Sequence, residues 1–339
     1  MKYLAAAAAP FLLASIASGQ AAPTTLLATP STVMILRSSL LKWFAFLLLL
    51  PLAASAQNVA PTGSIHTPDV DLAYWIYGKP TAETPVIAVN GGPGLSHIYM
   101  IQNDVWDRLA QGREVIFYDQ RGTGKSKNVR AGALMDLSAE VADLEAVREH
   151  FGFAKVDLVG DSFGGFLSMA YAVAHPEHVH KLVLSDSAPP AMKDIVHLLP
   201  EVFPDIEEED AELSKKLGNT DEAAQQELIN HFRMIFYDEE LLRRYLAGVK
   251  DLEYTPATGE AVGQAVSKVD MTAALPKFDF PVLVITGRYD MNVAPLTAWR
   301  MYKAIPGAKL AIFAKSGHLP SYEEPDKYVQ VADTFLRAR

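Results

Sequence analysis

At 339 residues, half of them hydrophobic and 21% charged, the chain can bury a sizeable core in one large or two modest domains. It has no cysteine, which excludes disulfides, thiolate nucleophiles and Cys-ligated metal sites. Asp and Glu outnumber Lys and Arg by 40 to 30, and such a surface repels nucleic acid and anionic lipid.

The N-terminus carries two leader-like stretches. Lys2 precedes an apolar run from Leu4 to Ile16 that ends in small residues through Ala22. Met34 then opens a second stretch, with Arg37 and Lys42 ahead of the apolar run Trp43 to Leu52, and with Ala54-Ser55-Ala56 as an A-x-A cleavage site. The second apolar run, about 12 residues, is short of the roughly 20 that a membrane span needs. The expectation is therefore a cleaved leader over 1–56, cut before Gln57, with export to the periplasm or beyond; a single N-terminal anchor is the alternative. Residues 57–339 hold 27 Lys and Arg against 40 Asp and Glu, a net charge of −13.

Asp71 to Tyr77 is predicted as an edge strand with mixed faces. Pro85 to Val89 is a short apolar run that stops at Asn90-Gly91-Gly92-Pro93-Gly94, as a buried strand entering a loop does. Ile98 to Leu109 has helical spacing, and Glu114 to Tyr118 is a second buried strand. In 137–151, Val141, Leu144, Val147 and Phe151 recur at steps of three and four, a helix that Ser138 could cap. Lys155 to Val159 is a strand that turns at Gly160-Asp161-Ser162-Phe163-Gly164 into an apolar helix through Ala174. Lys181 to Ser185 is the next strand.

Residues 188–275 break this alternation. They are rich in Glu and Asp, with helical patches at 222–236 and 239–246, and read as a helical insert. Pro281 to Thr286 resumes the buried-strand pattern, followed by a helix at 296–305, a strand at 309–313 and a closing helix at 324–338. Apolar strands alternating with helices imply a mostly parallel sheet covered on both faces. The expected organisation is a first core part over 57–187, a cap over 188–275 and a second core part over 276–339. The cap would overhang the carboxyl ends of the strands, where open α/β sheets bind ligands.

Gly160 to Gly164 is a G-x-S-x-G sequence between an apolar strand and an apolar helix. The sharp turn needs small neighbours and lifts Ser162 above the sheet edge, the setting of a nucleophile. A serine hydroxyl needs a base, and His318 follows the last strand in Ser316-Gly317-His318. The imidazole needs an orienting carboxylate, and Asp290 closes Gly287-Arg288-Tyr289-Asp290 just after the strand at 281–286. An oxyanion needs backbone N–H donors. Phe163, directly after the serine, and Gly91 or Gly92 after the strand at 85–89 are the candidates. Gly122-Thr123-Gly124-Lys125-Ser126 superficially matches the end of a phosphate-binding loop, but Asp119 stands where that motif needs a glycine. Asp119 and Arg121 are expected to brace the loop instead. No metal or organic cofactor is implied.

Five segments together, NGGPG at 90–94, DQRGTGKS at 119–126, GDSFGG at 160–165, GRYD at 287–290 and GH at 317–318, resemble the prolyl aminopeptidase (proline iminopeptidase) family of α/β-hydrolases over about residues 65–337. The resemblance implies the α/β-hydrolase fold with a helical cap and a Ser162–Asp290–His318 triad. It also implies Gly91 or Gly92 with Phe163 as oxyanion donors, and cap carboxylates that hold the substrate's free amino group. Glu227, in an amphipathic stretch with Leu228 and Phe232, is the cap residue singled out for that contact. Asn90 replaces the family's usual His, and Phe163 its usual Trp; both bear on substrate rather than on hydrolytic machinery. The expected activity is release of an N-terminal residue, proline among the candidates, from small peptides through an acyl-enzyme. An esterase, lactonase or amidase with the same triad is a second reading, and a non-catalytic binding protein on this scaffold is a third.

Overall fold

The computed structural model describes residues 60–218, 220–249 and 252–338. Both leader segments lie outside them. Among the described residues no helix is long and apolar enough to cross a membrane.

Eight strands form one sheet. In chain order they are Gly63–His66 (β1), Asp71–Tyr77 (β2), Val86–Val89 (β3), Val115–Tyr118 (β4), Val156–Asp161 (β5), Val179–Ser185 (β6), Val282–Gly287 (β7) and Lys309–Phe313 (β8). Their spatial order is β1-β2-β4-β3-β5-β6-β7-β8. β2 pairs antiparallel with β1 and β4, and every pairing from β4 to β8 is parallel. The edge is therefore β1, not the stretch at 71–77. β1 has a single apolar side chain, Ile65, and so gives no alternation to read.

The central strands are buried from end to end, yet their side chains still sort with period two. Ile87, Val89, Ile116, Leu158, Leu182 and Val284 pack on one face with the helices Leu137–His150 (α2), Phe163–Ala174 (α3) and Pro295–Ala304 (α9). Val86, Ala88, Phe117, Val159, Val183 and Ile285 pack on the other with Val105–Leu109 (α1) and the closing helix Pro325–Arg337. That two-sided burial explains why the central parallel strands read as mostly apolar runs.

Two helical expectations change in detail. The span 98–109 breaks into a 3₁₀ turn at His97–Met100 and α1, because Asn103 Oδ1 accepts from Val105 N–H at 3.1 Å and starts a new turn. α2 is capped by Asp136, which accepts from Ala139 N–H at 3.0 Å, with Ser138 bonded to that carboxylate at 2.7 Å.

Between β6 and β7 the described residues form five α-helices, Leu199–Val202 (α4), Pro204–Leu217 (α5), Asp221–Ile235 (α6), Glu239–Gly248 (α7) and Pro256–Val266 (α8), besides two short 3₁₀ turns. Among the described residues this segment has no strand. It is fastened to the loops at the carboxyl edge of the sheet. Thr255 N–H donates to Gly94 O at 2.8 Å, Ser96 N–H to Glu253 O at 3.2 Å and His318 N–H to Ile235 O at 2.7 Å.

Candidate active site

The loops that leave the carboxyl ends of β3, β5, β6, β7 and β8 converge on one edge, and each brings one polar group. At the end of β5 the chain reverses into α3 through Ser162, whose φ of +53° is a left-handed conformation costly for a residue with a Cβ. Its glycine neighbours are required by contact. A Cβ on Gly160 would lie 2.5 Å from Gly164 O, and one on Gly164 would lie 2.0 Å from Val89 O. Ser162 N–H donates to Ser185 O at 2.9 Å, which fixes the turn against β6.

His318 and Asp290, 28 positions apart in the chain, are in direct contact. His318 Nδ1 lies 2.7 Å from Asp290 Oδ2, and Asp290 Oδ1 accepts from the N–H groups of Asn292 and Val293 at 2.9 and 2.8 Å. Both side chains are buried. His318 lines the same cavity of 160 Å³ as Ser162. No hydrogen bond joins their side chains; the histidine Nε2 instead accepts from Asn292 Nδ2 at 3.1 Å. Such contacts commonly close only when substrate is bound. Burial alone would depress the imidazole pKa, but the Asp290 charge and hydrogen bond, with Asp161 and Glu323 further off, raise it above its ordinary 6.5.

The two candidate glycines separate. Gly91 N–H donates to the Tyr99 hydroxyl at 2.6 Å, and that hydroxyl donates to Asp161 Oδ2 at 2.6 Å. The Gly91 hydrogen, one of the candidate oxyanion donors, is thus committed to a hydroxyl. Gly92 N–H and Phe163 N–H have no hydrogen-bond partner among the described residues. A Cβ on Gly91 would sit 2.8 Å from Ser162 Cβ, so this loop rests directly on the serine. Asn90 ties it down: its side-chain amide donates to Gly91 O at 3.0 Å and to Leu95 O at 2.8 Å.

Several supporting groups carried no sequence signal. Burial pushes the Asp161 carboxyl up to about 6, against the pull of His318 and Tyr99. Asp186, after β6, is buried beside Asp290 and accepts from Gly287 N–H at 2.8 Å. Burial and then the Asp290 charge hold its pKa well above the usual carboxylate range. Glu323 accepts from Gly317 N–H at 2.7 Å and Tyr237 N–H at 2.6 Å, bracing the His318 loop from below. Burial brings its pKa to about 7.

The loop at 119–126 is a brace, as its residues suggest. Asp119 accepts from His97 N–H at 3.1 Å and Lys125 N–H at 2.7 Å, and its Oδ1 lies 2.7 Å from His97 Nδ1. Arg121 grips Asp143 of α2 through two bonds of 2.7 Å.

Next to the serine cavity, and sharing Gly92, Leu95 and His231 with it, lies a second chamber of 400 Å³. Glu207, Asp210 and Glu227 of the helical segment line it. Glu227 Oε1 accepts from Ser214 Oγ at 2.8 Å, and Asp210 Oδ1 from Asn230 Nδ2 at 2.6 Å. Glu227 is therefore one of three acids at this wall rather than a neighbour of Ser162. His231 stands between the two spaces. Burial, reinforced by His318 and His197, takes its pKa down to about 4, so it is neutral at pH 7. By contrast, the serine cavity is apolar along Leu95, Phe232, Ile235 and Leu319.

The α/β-hydrolase fold family matches residues 84–325. A proline iminopeptidase of Lactobacillus delbrueckii subsp. lactis is 33% identical over 77% of this chain and 92% of its own length. A proline iminopeptidase of Saccharolobus solfataricus is 29% identical over 79% and 89%. Among solved structures, an α/β fold family hydrolase from Bacillus anthracis superposes with a TM-score of 0.67 at 20% identity, covering 80% of this chain and 98% of its own. A thermophilic esterase from Thermogutta terrifontis superposes with a TM-score of 0.61 at 24% identity, covering 82% and 97%.

Proposed function

We propose, from the premise that this chain belongs to the proline iminopeptidase family of α/β-hydrolases, that it is an exported serine aminopeptidase releasing an N-terminal residue such as proline. Ser162 Oγ attacks the scissile carbonyl while His318 Nε2 takes its proton, Asp290 holding the imidazole in the tautomer that leaves Nε2 free to accept. Gly92 and Phe163 N–H groups receive the oxyanion. The C–N bond breaks as Nε2 returns the proton to the departing nitrogen, and water repeats the sequence on the acyl-enzyme.

The observation that carries the aminopeptidase reading is the wall of Glu207, Asp210 and Glu227. It opens on the same Gly92 that faces the serine. Three carboxylates lining one chamber call for a positive partner, and a free N-terminal ammonium supplies one. A second reading, a simple esterase, is favoured by the apolar lining of the serine cavity. Prolyl-β-naphthylamide and p-nitrophenyl acetate, assayed side by side, separate the two. The amide of the free-amine substrate should turn over, and Glu227→Gln combined with Asp210→Asn should raise its KM by about tenfold, roughly one lost charge contact. Activity confined to the ester would sink the aminopeptidase.

The pH profile follows from the base. Nε2 must be unprotonated to accept the Ser162 proton, so kcat/KM rises with pH through the His318 titration and is lost as pH falls below it. Because the pKa is raised, the midpoint of that limb lies above 6.5. A midpoint below 6.5 would mean that burial outweighs the Asp290 charge at His318, and a profile with no limb in the histidine range would contradict His318 as the base.

Export is supported by the leader residues alone. The mature protein recovered outside the cytoplasm should begin at Gln57; N-terminal sequencing that finds Met1 or Met34 intact would refute cleavage.

A further inference from the structure

Asn292 occupies the one direction in which His318 must work. Its Nδ2–H donates to His318 Nε2 at 3.1 Å, the atom that takes the proton from Ser162 and then delivers it to the leaving group. The residue is firmly seated. Its N–H donates to Asp290 Oδ1 at 2.9 Å, and its carbonyl lies 3.0 Å from His197 Nδ1. Its neighbours are pinned as well: Leu198 N–H donates to Met291 O at 2.8 Å, and Ala294 N–H to Val196 O at 2.9 Å. Asn292 lines the serine cavity. Its Oδ1 has no hydrogen-bond partner among the described residues and is not sealed off in the interior.

We infer that Asn292 reads the leaving group and biases the site toward amides over esters. The inference rests on the Ser162–His318 acyl-transfer reading and goes beyond it. In the free protein Asn292 caps the neutral imidazole. When Ser162 attacks, Nε2 becomes a donor, and an N–H of Asn292 can no longer face it. The side-chain amide carries an acceptor as well as a donor, so rotation about its last bond turns Oδ1 to the reaction centre.

In an amide substrate the departing nitrogen bears its own hydrogen. As the carbonyl becomes tetrahedral that nitrogen turns pyramidal, its lone pair facing Nε2–H and its N–H needing an acceptor. Asn292 Oδ1 supplies one. An ester oxygen bears no hydrogen and gains nothing from the contact. The step balances without Asn292 exchanging a proton: the Oγ–C bond forms, the C–N bond breaks, and the Ser162 proton passes through Nε2 to nitrogen. A donor–acceptor pair present only in the transition state raises kcat rather than lowering KM.

The test compares wild type with Asn292→Ala and Asn292→Leu on prolyl-β-naphthylamide and proline methyl ester, with thermal melts to show that each variant is folded. The ratio of amide to ester kcat/KM should fall about tenfold, the size of one neutral hydrogen bond, and the fall should lie in kcat. The rate at which a fluorophosphonate labels Ser162 should fall far less, since its fluoride leaving group has no N–H. If amide, ester and labelling rates drop together, Asn292 acts only by positioning His318 and the inference is wrong. An unchanged ratio overturns it too. Failure of the probe to label wild-type Ser162 would instead remove the acyl-transfer reading on which it stands.

Discussion

Replacing Ser162 by alanine reduces kcat on prolyl-β-naphthylamide by about 10⁵- to 10⁶-fold, the loss typical when a serine nucleophile is deleted from an intact triad. The loss is chemical rather than structural. Alanine keeps the Cβ, so it inherits the strained φ of +53° and changes nothing in the contacts of Gly160 and Gly164. The melting temperature should stay within a few degrees of wild type. Oxyanion donors at Gly92 and Phe163 remain, and substrate still binds, so a residue of rate above the uncatalysed reaction is expected. Two measurements check this: steady-state turnover, and covalent labelling by a fluorophosphonate followed by mass mapping. A variant that retains a tenth of the activity would show that another group attacks the carbonyl.

The strands at the centre of the sheet were legible because burial on both faces leaves mostly apolar residues, and a Gly or Pro lies at the end of several of the runs. β1 was not, since an edge strand with one apolar residue, Ile65, carries no periodic signal. The interruption within 98–109 was hidden for a different reason. Helical spacing counts side chains on a face, whereas the break is made by the Asn103 side chain bonding the backbone. In the site, Ser162 stood out because a strained turn demands glycines at fixed offsets. Asp290 and His318 stood out because they follow strands that were themselves visible.

The groups that tune these residues left no such trace. Tyr99 and Asp161 are 62 positions apart and meet only because β3 and β5 are adjacent in the sheet. Asp186 and Asp290 approach because β6 pairs with β7. Asn292 reads in sequence as an ordinary turn residue after an aspartate. The distinction between Gly91 and Gly92 is likewise spatial: one hydrogen is taken by a hydroxyl eight residues on, the other is not. Local chemistry is written along the chain, and the partners that adjust it are set by strand order.

Strand order also decides how Asp290→Asn behaves. An amide at this position offers its NH₂ to His318 Nδ1, which favours the tautomer with hydrogen on Nε2; the base then faces Ser162 with a donor instead of a lone pair. In triads of this kind the loss is about 10⁴-fold in kcat. Here a second carboxyl stands close by, a carboxylate oxygen each of Asp186 and Asp290 and a ring nitrogen of His318 lying within 4.8 Å of one another. Burial first, and then the charge of the neighbouring carboxyl, hold the Asp186 pKa well above the usual carboxylate range. Neutralising Asp290 removes the second of these causes and lowers the Asp186 pKa, while burial still holds it up, so Asp186 can place a negative charge near the imidazole only toward high pH. The single variant should therefore lose less than the double variant Asp290→Asn/Asp186→Asn, by about tenfold in kcat, and its residual activity should climb as pH rises through the Asp186 titration. Equal losses in the two variants, with no pH-dependent recovery, would mean that Asp186 serves only to anchor Gly287 and that Asp290 alone orients the histidine.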